Sequence, residues 1–242
     1  MKRACMLLFA LFLVLSIPLT VSANSAEPPG MIIIAENAPE DMTVTLEFPT
    51  PPEYEPRVSR SVKLWETYYR IFYSVTPEEF ASASLRIDSS EGSFTCPLPE
   101  GMRHGYNNLL TLNYCTRTLT LGQRWWRQPL LTFLRVTLTL LSEGLVFWFI
   151  FGFREKRSWI VFFAVNLVTQ LWLNIQVNGY AFSGGYWVIL LFLMEAAIFI
   201  AESIAFPLLL TEKRGIIRVL YALCANIVSL IAGILLIGHL PI

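Results

Sequence analysis

Residues 187–210 read WVILLFLMEAAIFIAESIAFPLLL, an apolar stretch that carries two glutamates. At about 1.5 Å of rise per residue, a helix of this length crosses the core of a bilayer. Glu195 and Glu202 are seven residues apart, so a helix places both carboxyls on the same side. An ionisable side chain at that depth costs about 2.5–3.5 kcal/mol on insertion scales. We therefore expect this side to face the inside of a helix bundle.

Three further apolar blocks share this character, so the sequence predicts a membrane α-helical bundle of four transmembrane helices. The predicted crossings are residues 129–153, 159–176, 187–210 and 216–237. A hydrophobic content of 55% and a mean hydropathy of +0.54 agree with a protein of the lipid bilayer. The net charge is zero, and we find no basic surface of the kind that a nucleic acid partner requires.

The N-terminus has the features of a secretory signal peptide. Lys2 and Arg3 precede an apolar run, and the small residues that end at Ala23 fit a cleavage site. The alternative is an uncleaved signal anchor, because the apolar run is long for a signal peptide. Both interpretations place residues 24–128 outside the cytoplasm.

Residues 24–128 alternate between apolar and polar side chains in short runs that are separated by turn residues rich in Pro, Gly and Asn. This pattern predicts about seven strands and a small all-β, sandwich-like extracytoplasmic domain. The predicted strands are residues 31–35, 42–48, 62–75, 84–88, 93–98, 109–114 and 116–121. Cys96 and Cys115 both lie in this domain, where an oxidising compartment favours a disulfide between them. Two free thiols are the alternative.

The charged loops predict the orientation of the crossings. Loops 154–158 and 211–215 each contain Glu-Lys-Arg, whereas the loop between the second and third crossings carries no charge. The positive-inside rule places both charged loops in the cytoplasm and the C-terminus outside. We expect a multi-pass protein of the cell membrane.

The two halves of the membrane region share an order of polar residues. Each half has a glutamate within a helix, then a Glu-Lys-Arg loop, then Asn-Leu/Ile-Val-Thr/Ser within the next helix. Two duplicated hairpins explain this order, and convergent composition of two similar hairpins is the alternative. In both cases the polar groups are expected to face one another, because lipid offers them no hydrogen bonds. The predicted cluster consists of Glu143, Glu195, Glu202, Asn166, Thr169, Asn226, Ser229 and Arg135.

Arg135 and Glu195 are expected at a similar depth, so we predict that they pair if the first and third crossings are neighbours. Burial and mutual repulsion of the remaining carboxyls are expected to leave at least one of them protonated near neutral pH. The cluster is thus a candidate site for protons or ions.

The sequence offers little for an enzyme. His104 and His239 are the only histidines, and neither lies in the middle of a crossing; no aspartate lies in any crossing. We therefore expect no metal site, no cofactor and no catalytic residues. The prediction is a non-enzymatic membrane protein whose outer domain binds or senses a ligand or partner while the bundle acts as an anchor, signal or assembly module.

The alternative is a subunit of a proton- or cation-coupled transporter or channel that uses the carboxyl cluster. Four helices are few for such a function, so we expect a homo-oligomer or a partner membrane protein.

Overall fold

The computed structural model describes residues 30–104, 106–180 and 186–239. The chain divides into two compact units, one with residues 30–127 and the other with residues 128–180 and 186–238. The predicted signal peptide and its cleavage site at Ala23 lie outside the described residues.

The first unit is a β region with two sheets, as predicted. Its described residues form eight strands and one short helix: β1 (Gly30–Glu36), β2 (Thr43–Glu47), β3 (Arg57–Val62), β4 (Thr67–Phe72), α1 (Pro77–Ser82), β5 (Ser84–Ser89), β6 (Gly92–Pro97), β7 (Asn108–Asn113) and β8 (Thr118–Leu121). One sheet has the order β3-β4-β1-β7-β8, and the other has the order β2-β5-β6. Strand β1 is central, parallel to β7 and antiparallel to β4.

Both sheets contribute side chains to one apolar core. In β2, Val44 and Leu46 are buried while Thr43 and Thr45 are exposed, which is the period of two that a strand with one solvated face requires. Met31 and Ile33 of β1 join the same core from the other sheet. This shared core explains why the alternating runs of the sequence predict most of the strands.

The predicted strand over residues 62–75 is wrong in its first part. The chain turns there, and the N–H of Lys63 donates to the carbonyl of Glu66 across 2.8 Å, so that only β4 remains of this strand. Strand β3 precedes the turn and was not predicted, because all six of its residues are exposed and show no apolar alternation. Helix α1 was also missed, although Thr76 and Glu79 form a capping box at its start.

The predicted disulfide between Cys96 and Cys115 is absent from the structure, where both are free thiols. Cys96 points into the core from β6 and donates a weak hydrogen bond to the carbonyl of Arg117, with sulfur and oxygen 3.4 Å apart. Cys115 lies in the turn after β7 and is exposed. One thiol faces the core and the other faces solvent, so their side chains do not meet.

The second unit confirms the prediction of four long apolar helices. Among the described residues these are α2 (Arg127–Leu145), α3 (Lys156–Tyr180), α4 (Tyr186–Leu209) and α5 (Gly215–His239), and α2 continues as a π-helical turn over Val146–Ile150. Each contains a segment long and apolar enough to cross a membrane. Only 17–44% of the residues in these segments are buried, and large apolar side chains such as Phe149 are exposed. Surfaces of this kind are stable in lipid rather than in water.

Candidate functional site: the buried carboxyl cluster

Each of the four long helices contributes a buried polar side chain to the inside of the bundle. Glu143 of α2 is 1% exposed and Glu202 of α4 is 0% exposed. Thr169 of α3 and Asn226 of α5 are 7% and 8% exposed. The helices therefore place these four residues inside the bundle rather than towards lipid. We call Glu143, Asn166, Thr169, Glu202, Tyr221, Asn226 and Ser229 the carboxyl cluster.

Glu202 is fully supplied with hydrogen-bond donors. The hydroxyl of Thr169 donates to Oε1 across 2.7 Å, and the amide Nδ2 of Asn226 donates to Oε2 across 2.9 Å. Asn226 also donates to the carbonyl of Ala222, one turn earlier on its own helix, which fixes the amide orientation. Each oxygen of this buried carboxyl therefore accepts a hydrogen bond from a neighbouring helix.

Glu143 has different surroundings from those of Glu202. Ser229 of α5 and Asn166 of α3 are the polar side chains beside its carboxyl. Even so, Oε2 of Glu143 and Oδ1 of Asn166 are buried and have no hydrogen-bond partner in the described part of the chain. The amide Nδ2 of Asn166 donates to the carbonyl of Phe162 across 3.0 Å, which directs the amide group. The two buried glutamates thus differ in how far their oxygens are satisfied.

Glu195 lies at the edge of this cluster. It is partly buried, and it is within electrostatic range of both Glu143 and Glu202. Glu195 precedes Glu202 by seven residues on α4, and a helix places residues at that spacing on the same side. The pairing of Arg135 with Glu195 stays a prediction.

Aromatic side chains pack beside the cluster, towards the end of α2. Phe147 stacks on Phe153 with ring centroids 4.3 Å apart and on Phe162 at 5.0 Å, and it meets Tyr221 edge-on at 4.9 Å. The π-helical turn and Gly152, whose φ is +64°, reverse the chain so that Phe153 comes back onto Phe147. These rings exclude water from the side of the cluster that they cover.

Tyr221 is a member of the cluster that the sequence analysis missed. Its ring packs with those of Phe147 and its neighbours, which together we call the aromatic layer. Its hydroxyl is buried, has no hydrogen-bond partner among the described residues and lies beside Asn166. It is also within electrostatic range of Glu143 and Glu202. Helical spacing does not reveal it, because Tyr221 and Asn226 are five residues apart and so about 140° apart around the helix.

The two charged loops meet at one end of the bundle. The backbone N–H groups of Arg154 and Glu155 donate to the two carboxylate oxygens of Glu212 across 2.7 and 3.0 Å. Arg218 donates to the carbonyl of Leu210, at the end of α4. These contacts hold the first and second helical hairpins together at the ends where the Glu-Lys-Arg sequences lie.

The first unit contains a buried ionic group that the sequence analysis also missed. Arg127 and Glu66 form an ion pair at 2.9 Å, with side chains only 3% and 9% exposed. The hydroxyl of Tyr68 donates to Glu66 and also contacts Arg127. The sequence around Arg127 does not reveal its burial, because its partner Glu66 lies 61 residues earlier in the chain.

Among the described residues, no group of three or more His, Cys, Asp and Glu side chains is arranged to hold a metal ion. The cluster instead brings together oxygen atoms and amide groups from four helices, and oxygen atoms are the kind of group that can accept hydrogen bonds or coordinate hard cations. Comparison with protein-family models, curated proteins and solved structures gives no match for this chain.

Proposed function

We propose that this chain is a non-enzymatic multi-pass membrane protein whose four-helix bundle binds and exchanges a proton or small cation at the carboxyl cluster. The observation that carries the proposal is the burial of Glu143 and Glu202 within electrostatic range of each other in a bundle with an apolar surface. Carboxyls at this depth are costly, and they commonly mark ion or proton pathways. If the cluster only held the helices together, a second buried carboxyl would be unnecessary, and Oε2 of Glu143 would be expected to have a hydrogen-bond donor.

The contacts of the two glutamates support two duplicated hairpins. Glu202 takes an asparagine donor from its own half, Asn226, and a hydroxyl donor from the other half, Thr169. Glu143 lies beside the asparagine of its own half, Asn166, and the hydroxyl of the other half, Ser229. This reciprocal exchange is what a pseudo-two-fold axis along the membrane normal produces. We propose that the cluster is the place where the two repeats meet.

For the topology we propose a cleaved signal peptide, a sandwich-like extracytoplasmic domain over residues 24–128 and a C-terminus outside the cytoplasm. The contacts of Glu212 support a common side for loops 154–158 and 211–215, and their basic residues favour the cytoplasm. Four helices are few for a conducting protein. The functional form is therefore proposed to be a homo-oligomer or a complex with a partner membrane protein.

Purified full-length protein in liposomes tests this function. A pH-sensitive dye inside the liposomes reports proton entry after an external pH jump, and sodium or potassium gradients test cations. We expect a flux above that of protein-free liposomes, reduced at least about tenfold in Glu202→Gln, because one hydrogen-bond donor then faces another donor. Glu155→Gln, in the exposed loop, is the matched control and should retain the flux. No flux from wild-type protein under either gradient would contradict the proposal.

A second candidate function is ligand recognition by the β region, and one feature of its surface favours it. An open depression of about 570 Å³ lies between β2, the segment that follows it and the start of β3. Phe48, Pro51, Pro52 and Val58 give it apolar walls, and Glu55 adds a charge. This volume is within the range of small-molecule sites.

A photo-crosslinking residue at position 58 in intact cells tests recognition by this depression. A discrete adduct there, with none from the same residue at Glu91 in the turn after β5, would support recognition. Equal crosslinking at the two positions would contradict it.

A further inference from the structure

Three buried polar atoms in the carboxyl cluster lack a hydrogen-bond partner among the described residues. They are Oε2 of Glu143, Oδ1 of Asn166 and the hydroxyl oxygen of Tyr221. The three side chains are 1%, 0% and 0% exposed, and Asn166 lies beside both of the others. Buried polar atoms are nearly always paired in native proteins, so three neighbouring exceptions call for one explanation.

A count of donors and acceptors supplies this explanation. If Glu143 is ionised, Oε2 and Oδ1 are both acceptors, and the Tyr221 hydroxyl offers the only proton among the three atoms. One of the two acceptors then stays unpaired within this group of three atoms. If Glu143 carries a proton, the group has two donors, and both the Tyr221 oxygen and the Asn166 oxygen can be satisfied. The Asn166 amide donates one of its two N–H groups to the carbonyl of Phe162, and the other makes no hydrogen bond to Oε2 of Glu143.

The same count gives the opposite result for Glu202. Its two oxygens accept from Thr169 and Asn226, so both are paired without an added proton. The titratable groups facing Glu143 from α4 are Glu202 and Glu195, and from α5 Tyr221 faces it. Two ionised carboxyls in this setting repel each other, so one proton on Glu143 relieves both the repulsion and the unpaired acceptor.

We propose that Glu143 is the proton-carrying acid of the cluster and that Glu202 is its acceptor counterpart. The inference rests on the proposed ion-binding role of the bundle, and it names the ion as a proton and the site as the Glu143, Asn166 and Tyr221 group. It divides two glutamates of similar burial into different roles by the donors that surround them.

Infrared spectroscopy of the full-length protein in lipid at neutral pH tests this assignment. Exposed carboxyls are ionised there, so the C=O stretch of a carboxylic acid reports buried protonated groups. We expect this band to lose intensity in Glu143→Gln and to keep it in Glu202→Gln, with Glu195→Gln measured to identify any share from Glu195. A band lost in Glu202→Gln and retained in Glu143→Gln would overturn the assignment.

Unfolding of the same variants in detergent gives a second measurement. Glutamine resembles a protonated glutamate in being neutral and in carrying a donor group beside an acceptor oxygen. Glu143→Gln should therefore change the unfolding equilibrium constant by less than about threefold, whereas Glu202→Gln should raise it by about tenfold or more. Equal effects of the two variants would overturn the proposal, as would a wild-type protein that sodium or potassium stabilises at constant pH while Glu143→Gln does not respond.

Failure of this inference differs from failure of the proposed function. An acid band assigned to Glu143, without flux in liposomes, would leave the inference standing and contradict the transport role. Flux without any acid band from Glu143 would support the transport role and contradict the assignment of the proton to Glu143.

Discussion

Thr169 donates its hydroxyl to Oε1 of Glu202 across 2.7 Å, although 33 residues of sequence separate them. The contact joins α3 to α4, and the hydroxyl also lies within hydrogen-bond distance of the carbonyls of Val165 and Asn166 on its own helix. It brings together two residues that the sequence marks separately, one in each half of the membrane region. The contact therefore gives the most direct test of how the cluster stabilises the bundle.

Replacing Thr169 with valine removes the donor and keeps the shape of the side chain. We expect a loss of about 0.6–1.7 kcal/mol in the free energy of unfolding, the range for hydrogen bonds between membrane helices. Thr169→Ser keeps the hydroxyl and is the matched control. Unfolding in mixed detergent measures both variants, and a valine variant as stable as the serine variant would show that the hydrogen bond contributes nothing.

The aromatic layer predicts a larger effect from its central ring. Phe147 is 0% exposed and packs against several rings, so Phe147→Ala should leave a cavity and cost about 3–5 kcal/mol. Phe149, two residues later, is 71% exposed, and Phe149→Ala should cost much less in the same detergent unfolding assay. Similar losses for the two variants would place Phe147 outside the core.

The Arg127 and Glu66 pair predicts a strong effect on the β region. Arg127→Leu leaves Glu66 buried without its cation, which typically costs about 3–5 kcal/mol. Arg124 pairs with Glu36 but its side chain is 51% exposed, so Arg124→Leu should cost less than about 1 kcal/mol. Protease resistance of the full chain over increasing urea measures both, and equal resistance would contradict the buried pair.

Glu212 predicts a pH dependence at the charged end of the bundle. Partial desolvation opposes ionisation, but the N–H donors of Arg154 and Glu155, with Ser158 and Lys213, outweigh it and hold the pKa below its usual value of 4.5. Ionised Glu212 therefore contributes its full stabilisation of the folded bundle above its usual pKa, and this contribution is lost as the pH falls below it.

Thermal unfolding at neutral and acidic pH measures this contribution. Glu212→Gln should unfold at a lower temperature than wild type at neutral pH, and the difference should shrink in acid. A difference that grows in acid would contradict the assignment.

The cysteines give a chemical test of the β region. Burial raises the pKa of the Cys96 thiol, which further slows its reaction with maleimide. We expect native protein to be labelled at Cys115 and protected at Cys96, with labelling of both after denaturation. Mass spectrometry of unreduced peptides checks the result, and a peptide pair joined by a Cys96–Cys115 disulfide would contradict the assignment of two free thiols.

The sequence predicts much of this architecture, and the exceptions have physical reasons. Long apolar runs identify the four helices, and alternation identifies strands with one buried face, such as β2. The sequence does not predict strand β3, because an exposed edge strand has no apolar pattern. The disulfide prediction fails because compartment and cysteine number say nothing about which side chains point into a core.

The candidate site was also predicted in part. Glutamates in apolar runs point inward because lipid gives them no partners, which brings Glu143, Thr169, Glu202 and Asn226 to one interior. The sequence could not show which glutamate receives donors on both oxygens, because that depends on helix rotation and on rotamers. Tyr221 was missed because a tyrosine in an apolar helix reads equally well as an interfacial residue.

Crosslinking between α3 and α4 tests the central claim, that the polar residues of both halves meet inside one bundle. In protein whose native cysteines are replaced by alanine, cysteines at positions 169 and 202 should be joined by a short bifunctional reagent in native membranes. Cysteines at positions 169 and 200 are the control, because Ile200 is 55% exposed on another side of α4. Efficient crosslinking of 169 to 202 and none to 200 is the predicted result; the reverse, or equal crosslinking of both pairs, would contradict the account.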